Sequence, residues 1–447
     1  MHVRPVSLRR LIGADVRPGE GAIVFVFFLN LMLMMTAFYI LKVISEPLIL
    51  AEGGALTRSF ARGIEAAIVI ALLPAYVLLA QRFDPSRLVV WLDLSFAISL
   101  IGLAILASTD ARIGLVFFVW LGIFGTLAIA QFWSLANDLF SQSQGLRLFP
   151  AVAVGGTLGG IVGAQLAAHG IKWLEPYELM LAADVLIAAC VVLTAISRRH
   201  ARRTRRAGAA QPASPPAPTE GPLTPRAGAW TRMLSDPYLL LIAASVLLLN
   251  VVNTTGEYIL ADLVSRRADE IARHASDAVK ARDMYIASFY GNFRTIVSVV
   301  ATALQLVLVS RVLKRSGLQQ ALMLLPLLAI ASYGAAAVAP LLGTIVAVKV
   351  AENGADYSLS NTVRQALFLP TTRKAKYQAK TAIDMSLVRV GDLVSAALVA
   401  LTASLSLGVA QLAFANMAIA MVWLVVNFKL AGRYRGVARA RSAAGAG

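Results

Sequence analysis

The stretch "RRHARRTRRAGAAQPASPPAPTEGPLTPRAGA", residues 198–229, decides how this chain is organised. Six arginines lead into six prolines between positions 212 and 225. Such a composition buries no core and reads as a flexible linker. On either side of it the sequence turns apolar, in runs near 20 residues, each long enough to cross the hydrocarbon of a bilayer. We place six before it, at about 22–42, 57–80, 88–108, 112–136, 147–168 and 178–197. Six follow, at about 237–261, 284–309, 318–339, 342–363, 380–404 and 406–430.

The expectation is an all-α membrane protein with twelve transmembrane helices in two pseudo-symmetric six-helix halves. The halves are 1–197 and 230–447, with 198–229 as a cytoplasmic linker. This 6 + 6 layout is that of the major-facilitator transporters, whose sites lie near the midplane between the halves. Composition agrees: 58% of residues are hydrophobic, 15% are charged, and mean hydropathy is +0.72. A transmembrane β-barrel would show short alternating segments instead. The single Cys190 excludes an internal disulfide. The four histidines, at 2, 169, 200 and 274, lack the spacing of a metal site, and no cofactor is expected.

The net charge of +17 does not point to nucleic acid, because of where it lies. The N-terminal segment, the linker and the tail after 432 carry 15 basic residues against three acids. Arginines beside membrane spans mark cytoplasmic segments. With the linker inside, an even span count puts both termini inside too. The connections "QRFDPSR", "SQSQGLR", "SRVLKRSG" and "PTTRKAKYQAK" then all carry basic residues on that same side. The opposite loops are charge-poor or balanced, as in "DLVSRRADEIARHASDAVKARD". The chain is expected in a bacterial inner membrane. Its first apolar run is too long for a signal-peptide core and lacks a cleavage site.

Charge inside spans is by default a functional-site hypothesis. In "KVAENGADYS", residues 349–358, Lys349, Glu352, Asn353 and Asp356 fall at i, i+3, i+4 and i+7, one helix stripe. Lys349 and Glu352 are close enough to pair. Asn250, Asn253 and Glu257 share a face of span seven, where a span ending near 261 would let Glu257 snorkel outward. Span eleven offers Lys380, Asp384, Arg389 and Asp392. Lys42 and Glu46 close span one, Arg62 and Glu65 sit in span two, and Asn137 with Asp138 ends span four. Asp93 and Asp184 are lone acids in spans three and six. In span five, Gly155, Gly159 and Gly163 repeat every four residues, as do Gly156, Gly160 and Ala164. That spacing permits close helix packing. No G-x-S-x-G elbow, H-E-x-x-H or Walker loop supports hydrolysis; an enzyme is not expected.

Four segments resemble the bacterial and plastid ATP/ADP translocases, the nucleotide transport proteins. They are "YILKVISEPLILAEGGA", "QFWSLANDLFSQSQGLRLFPAVAVGG", "DPYLLLIAASVLLLNVVNTTGEYILADL" and "DYSLSNTVRQALFLPTTRKAKYQAKTAID". They recur in order over roughly residues 22–430. The resemblance implies exchange of ATP for ADP, or of a related anionic nucleotide, by alternating access. It implies Lys42, Arg62, Arg147 and Lys380 as anion contacts, with Asn137, Tyr357 and Arg364 also at matching positions. Glu257, Glu352 and Asp384 would be gating or coupling acids. Two positions depart from the family's lysines: Ser45 and Asp392. Phosphate recognition needs cations or clustered donors, so both changes disfavour a triphosphate. The alternatives are a same-fold transporter of a non-nucleotide solute, with proton coupling through Glu257 or Glu352 as one form of it, and a non-transporting membrane protein such as a lipid scramblase or an assembly partner. The last predicts a surface groove open to lipid and intramembrane charges paired with one another; a transporter predicts unpaired charges lining a central cavity, to which spans one, four, five, seven, ten and eleven contribute charged or amide side chains.

Overall fold

The computed structural model describes Arg17 and residues 20–82, 85–109, 111–140, 142–207, 235–305, 307, 317–368 and 383–444. Among these residues the chain is helical, with no strand. The helices are α1 (Gly21–Arg82), α2 (Pro85–Ala107), α3 (Gly114–Leu139), α4 (Gln142–Gly170), α5 (Pro176–Ala207) and α6 (Pro237–Ala272). They continue as α7 (Ala278–Leu304), α8 (Gly317–Val338), α9 (Leu342–Ala355), α10 (Asn361–Leu367), α11 (Val388–Ser404) and α12 (Val409–Ala444). Two π-helical turns, Asp356–Ser360 and Ile383–Leu387, join α9 to α10 and lead into α11. Apart from a few residues at span ends, the described residues of each predicted span lie on these helices and the two π turns. Eight described helices are long and apolar enough to cross a membrane, so the protein is a multi-pass membrane protein.

Three boundaries differ from expectation. Spans one and two are not separated by a loop; α1 runs through both, interrupted only at Gly53 and Gly54. Gly54 has φ 67° and ψ −158°, a backbone region that only glycine occupies without strain. The predicted linker begins later than its arginines suggest. Residues 198–207 extend α5, because alanine and arginine are strong helix formers; the proline-rich remainder lies outside the described residues. Span seven also runs on, through Ala272. Ion pairs along this extension, Arg266–Asp262 and Arg267–Glu270, both 2.8 Å, give it the support that i,i+3 and i,i+4 pairs lend a helix.

The helices form two compact units. The first comprises Met1–Leu48, Leu78–Pro222 and Asp283–Thr295; the second comprises Ile49–Val77, Leu223–Arg282 and Ile296–Gly447. In the first, α2 packs on α3 and α5 over an aromatic core. Phe96, Phe117, Trp120 and Phe124 form a ladder, with Trp120 and Phe124 stacked at 5.4 Å. The glycine stripe of α4 lies on α1. A Cβ at Gly155, Gly159 or Gly163 would run into the carbonyl oxygens of Phe28, Met32 and Thr36. Thr36 Oγ1 donates to Gly159 O at 3.3 Å. The small residues are there to let two backbones touch, as the spacing predicted. In the second unit α6 packs on α9, α11 and α12, while α8 packs on α9 and α12. Asp236 caps the start of α6 by accepting from the Tyr238 and Leu239 amides, with Pro237 at its first position.

Candidate functional site

The stripe on α9 and the polar face of α6 meet in the second unit. Lys349 and Glu352, one turn apart, form an ion pair at 3.0 Å; their side chains are 0% and 1% exposed. The Lys349 ammonium also donates to the Asn253 backbone carbonyl at 3.1 Å and to its side-chain oxygen. It lies 3.7 Å from the Glu257 carboxylate. Glu257 accepts a hydrogen bond from Asn353 Nδ2 at 3.2 Å and pairs with Arg58 at 3.4 Å. Tyr333, from α8, donates to Glu352 at 2.7 Å. Two cations and two carboxylates thus form one buried, formally neutral network. Neutrality is what makes it tolerable, since an isolated charge in an apolar interior carries a penalty of several kcal/mol.

A second charge ladder, between α1 and α11, meets the same polar face of α6. Glu65 accepts from Arg62 and from Arg389, both at 2.9 Å. Arg389 also lies 3.5 Å from Asp392. The other Asp392 oxygen accepts from Asn250 at 3.1 Å and Thr254 at 2.8 Å. Asp392 is therefore held by donors of its own unit. Gly391 is needed here for closeness: a Cβ would approach the Asn250 side chain to 2.8 Å.

Of the sequence-predicted residues, the fold brings Glu257, Lys349, Glu352 and Asn353 together and places Arg62 in the neighbouring ladder. Glu257 does not snorkel outward; α6 continues past it, and its side chain is 17% exposed. Tyr357, on the π turn, is 53% exposed. In the first unit, Lys42 lies 5.3 Å and 5.8 Å from the Phe38 and Tyr39 ring centres, a cation–π arrangement. Arg147 pairs with Glu20 at 3.0 Å. That hydrogen-bonded guanidinium, with the Arg17 backbone amide, lowers the Glu20 carboxyl to about 2. Glu46 pairs with Arg294 at 2.8 Å. Lys380 lies outside the described residues, and the side chains of Asn137 and Asp384 are not described. Arg58 and Tyr333 were missed by the sequence reading. Arg58 stands one turn before Arg62, and a tyrosine hydroxyl in an apolar run needs a buried partner; those were the available signals.

No family model and no curated protein matches the sequence. Solved structures do resemble the fold. A bacterial homologue of the iron transporter ferroportin, in an inward-facing state, aligns with TM-score 0.65 and 13% identity, covering 92% of this chain and 98% of that one. The fold is that of the major-facilitator transporters. A bacterial homologue of the human lysosomal transporter Spinster gives TM-score 0.60 and 12% identity, over 94% of this chain and 99% of that one. The nucleoside transporter NupG gives 0.58 and 11%, over 93% and 98%. At these identities the likeness speaks for the fold alone.

Proposed function

We propose that the chain is a secondary solute transporter of the major-facilitator type, resident in a bacterial inner membrane with cytoplasmic termini, and that the Lys349 network is part of its moving machinery. One observation carries this reading: a single ammonium stands between two carboxylates, 3.0 Å from Glu352 and 3.7 Å from Glu257. Glu257 in turn is shared with Arg58. Lys349 can lean from Glu352 toward Glu257 while Tyr333 still donates to Glu352, so the carboxylate it leaves keeps a donor, which is what a charged gate in a membrane requires. The π turn Asp356–Ser360 follows directly, and such turns in α-helices commonly sit at functional positions. Pairing alone would also suit a scramblase or an assembly partner, where the ion pairs are static ties. The shared ammonium and the likeness to transporter folds favour transport.

The finer reading, exchange of ATP for ADP or a related nucleotide, rests on the resemblance of the four segments to the translocases. Uptake of radiolabelled ATP into proteoliposomes preloaded with ADP, with and without a proton gradient, tests it. Glu352→Gln tests the gate. A gate loses transport, or its pH profile, in a protein that still folds; a static tie loses stability and keeps transport per folded molecule. Wild-type transport by a stable Glu352→Gln protein would remove α9 from the mechanism.

A further inference from the structure

The Lys349 network has no cation to spare and several acceptors left over. Arg58, Arg62, Lys349 and Arg389 are each within ion-pair distance of a carboxylate. The buried polar atoms without a hydrogen-bond partner around Lys349 and Tyr333 are Glu352 Oε1, Asn353 Oδ1 and Asn416 Oδ1. All three are acceptors, on residues 1%, 4% and 0% exposed. The orientation of both amides follows from chemistry: Asn353 Nδ2 faces the Glu257 carboxylate and Asn416 Nδ2 faces the Val252 carbonyl, so the oxygens must point elsewhere. Leaving a buried acceptor unmade carries its desolvation penalty, and three such acceptors stand around one network.

We propose that these acceptors are the solute-recognition atoms of the second unit, and that they take an uncharged group rich in hydroxyl or N–H donors, not a phosphate. The inference rests on the transport reading for its biological meaning, but binding can be tested without transport. A phosphate brings only acceptors at its oxygens when ionised. To bind here it must take Lys349 or Arg58 from Glu352 or Glu257 and leave a buried carboxylate without its partner. A hydroxyl or amide N–H leaves every ion pair intact and satisfies an atom that has nothing. A neutral ligand also keeps the network neutral, whereas any added charge must be desolvated without a counter-charge. Sites built on hydrogen-bond complementarity reject analogues that leave them unpaired far more strongly than apolar pockets do.

Thermal unfolding of the full chain in detergent, at fixed ionic strength, tests this with adenosine, ATP, D-glucose and pyrophosphate. Adenosine and ATP share the base N–H donors and the 2′- and 3′-hydroxyls; in ATP the triphosphate replaces the 5′-hydroxyl. Adenosine or glucose should raise the unfolding midpoint, as any ligand of the native state does. ATP should bind at least about tenfold more weakly than adenosine, equivalent to about 1.4 kcal/mol. Pyrophosphate should give no shift. Asn353→Leu and Asn416→Leu should each abolish the shift; if one fails to fold, the other decides. A shift with ATP or pyrophosphate exceeding that of adenosine overturns the proposal. So does the absence of a shift with both uncharged probes, or an undiminished shift in the variants. Binding of adenosine without uptake into proteoliposomes would sink the transport reading and leave this one standing. ATP uptake without adenosine binding would do the reverse.

Discussion

The two units weigh shape and charge differently, although the first also buries an ion pair, Glu46 with Arg294. In the first, helices meet through shape: aromatic rings around Phe124, and glycines of α4 pressed on carbonyls of α1. Asp93 lines a cavity of about 20 Å³ with Asn30, Cys190 and Thr194, room for one water. In the second, helices meet through charge: α1, α6, α9 and α11 are joined by a row of ion pairs. Shape is cheap to maintain and hard to change. Charge is costly to bury, yet it can be re-paired. The cost of burying charge is why Glu65, Glu257 and Glu352 each sit beside a cation.

The contrast can be broken hardest at Lys349. Lys349→Met leaves Glu352 and Glu257 facing each other's charge without the ammonium, and should destabilise the protein by about 3–5 kcal/mol, seen as a collapsed thermal midpoint or lost monodisperse yield. Adding Glu352→Gln should recover most of that loss, because removing both partners of a buried pair is nearly neutral. If the single change is harmless, the network is wetter than its burial implies and the comparison fails.

A smaller effect tests the first unit. Gly159→Ala places a methyl against the Met32 carbonyl, so α4 and α1 must separate, costing about 1–3 kcal/mol as overpacking does. Gly156→Ala meets side chains, Leu31 at 3.2 Å and Met35 at 3.6 Å, which can give way. Its cost should be distinctly smaller, and equal losses in thermal midpoint for the two would deny that backbone contact is what matters.

The smallest effect is expected at the rim. Glu20→Gln removes the tie to Arg147, a pair whose side chains are 14% and 20% exposed, and should cost no more than about 1 kcal/mol, as such ion pairs do. Because Glu20 is held below its ordinary value, the tie stabilises fully above the usual glutamate range, near 4.5, and is lost as pH falls toward about 2. The wild-type protein should therefore lose its margin over Glu20→Gln across that window, and a margin that grows on acidification would reverse the assignment.

Much of this was legible along the chain. Lys349 and Glu352 pair because i and i+3 are neighbours on any helix, and the α4 glycines pack because their spacing repeats with the helix. The break between spans one and two was legible as glycine but not as a kink, since Gly53–Gly54 would serve a loop equally well. The fate of Glu257 depended on how far α6 runs, and the charged loop after 261 looked like a loop until its ion pairs formed along a helix. The partnership of Glu65 with Arg389, 324 positions away, had no local signature at all.

The sequence by itself determined that this is a multi-pass helical membrane protein, because spanning a bilayer takes about 20 apolar residues regardless of what surrounds them. It also determined which residues are chemically out of place there, since each charge within such a run is visible singly. Only the tertiary structure decided which charges neutralise one another and which acceptors remain. Pairing depends on where helices far apart in the chain come within about 4 Å, and Coulomb and hydrogen-bond energies at that range are set by packing, not by order along the chain.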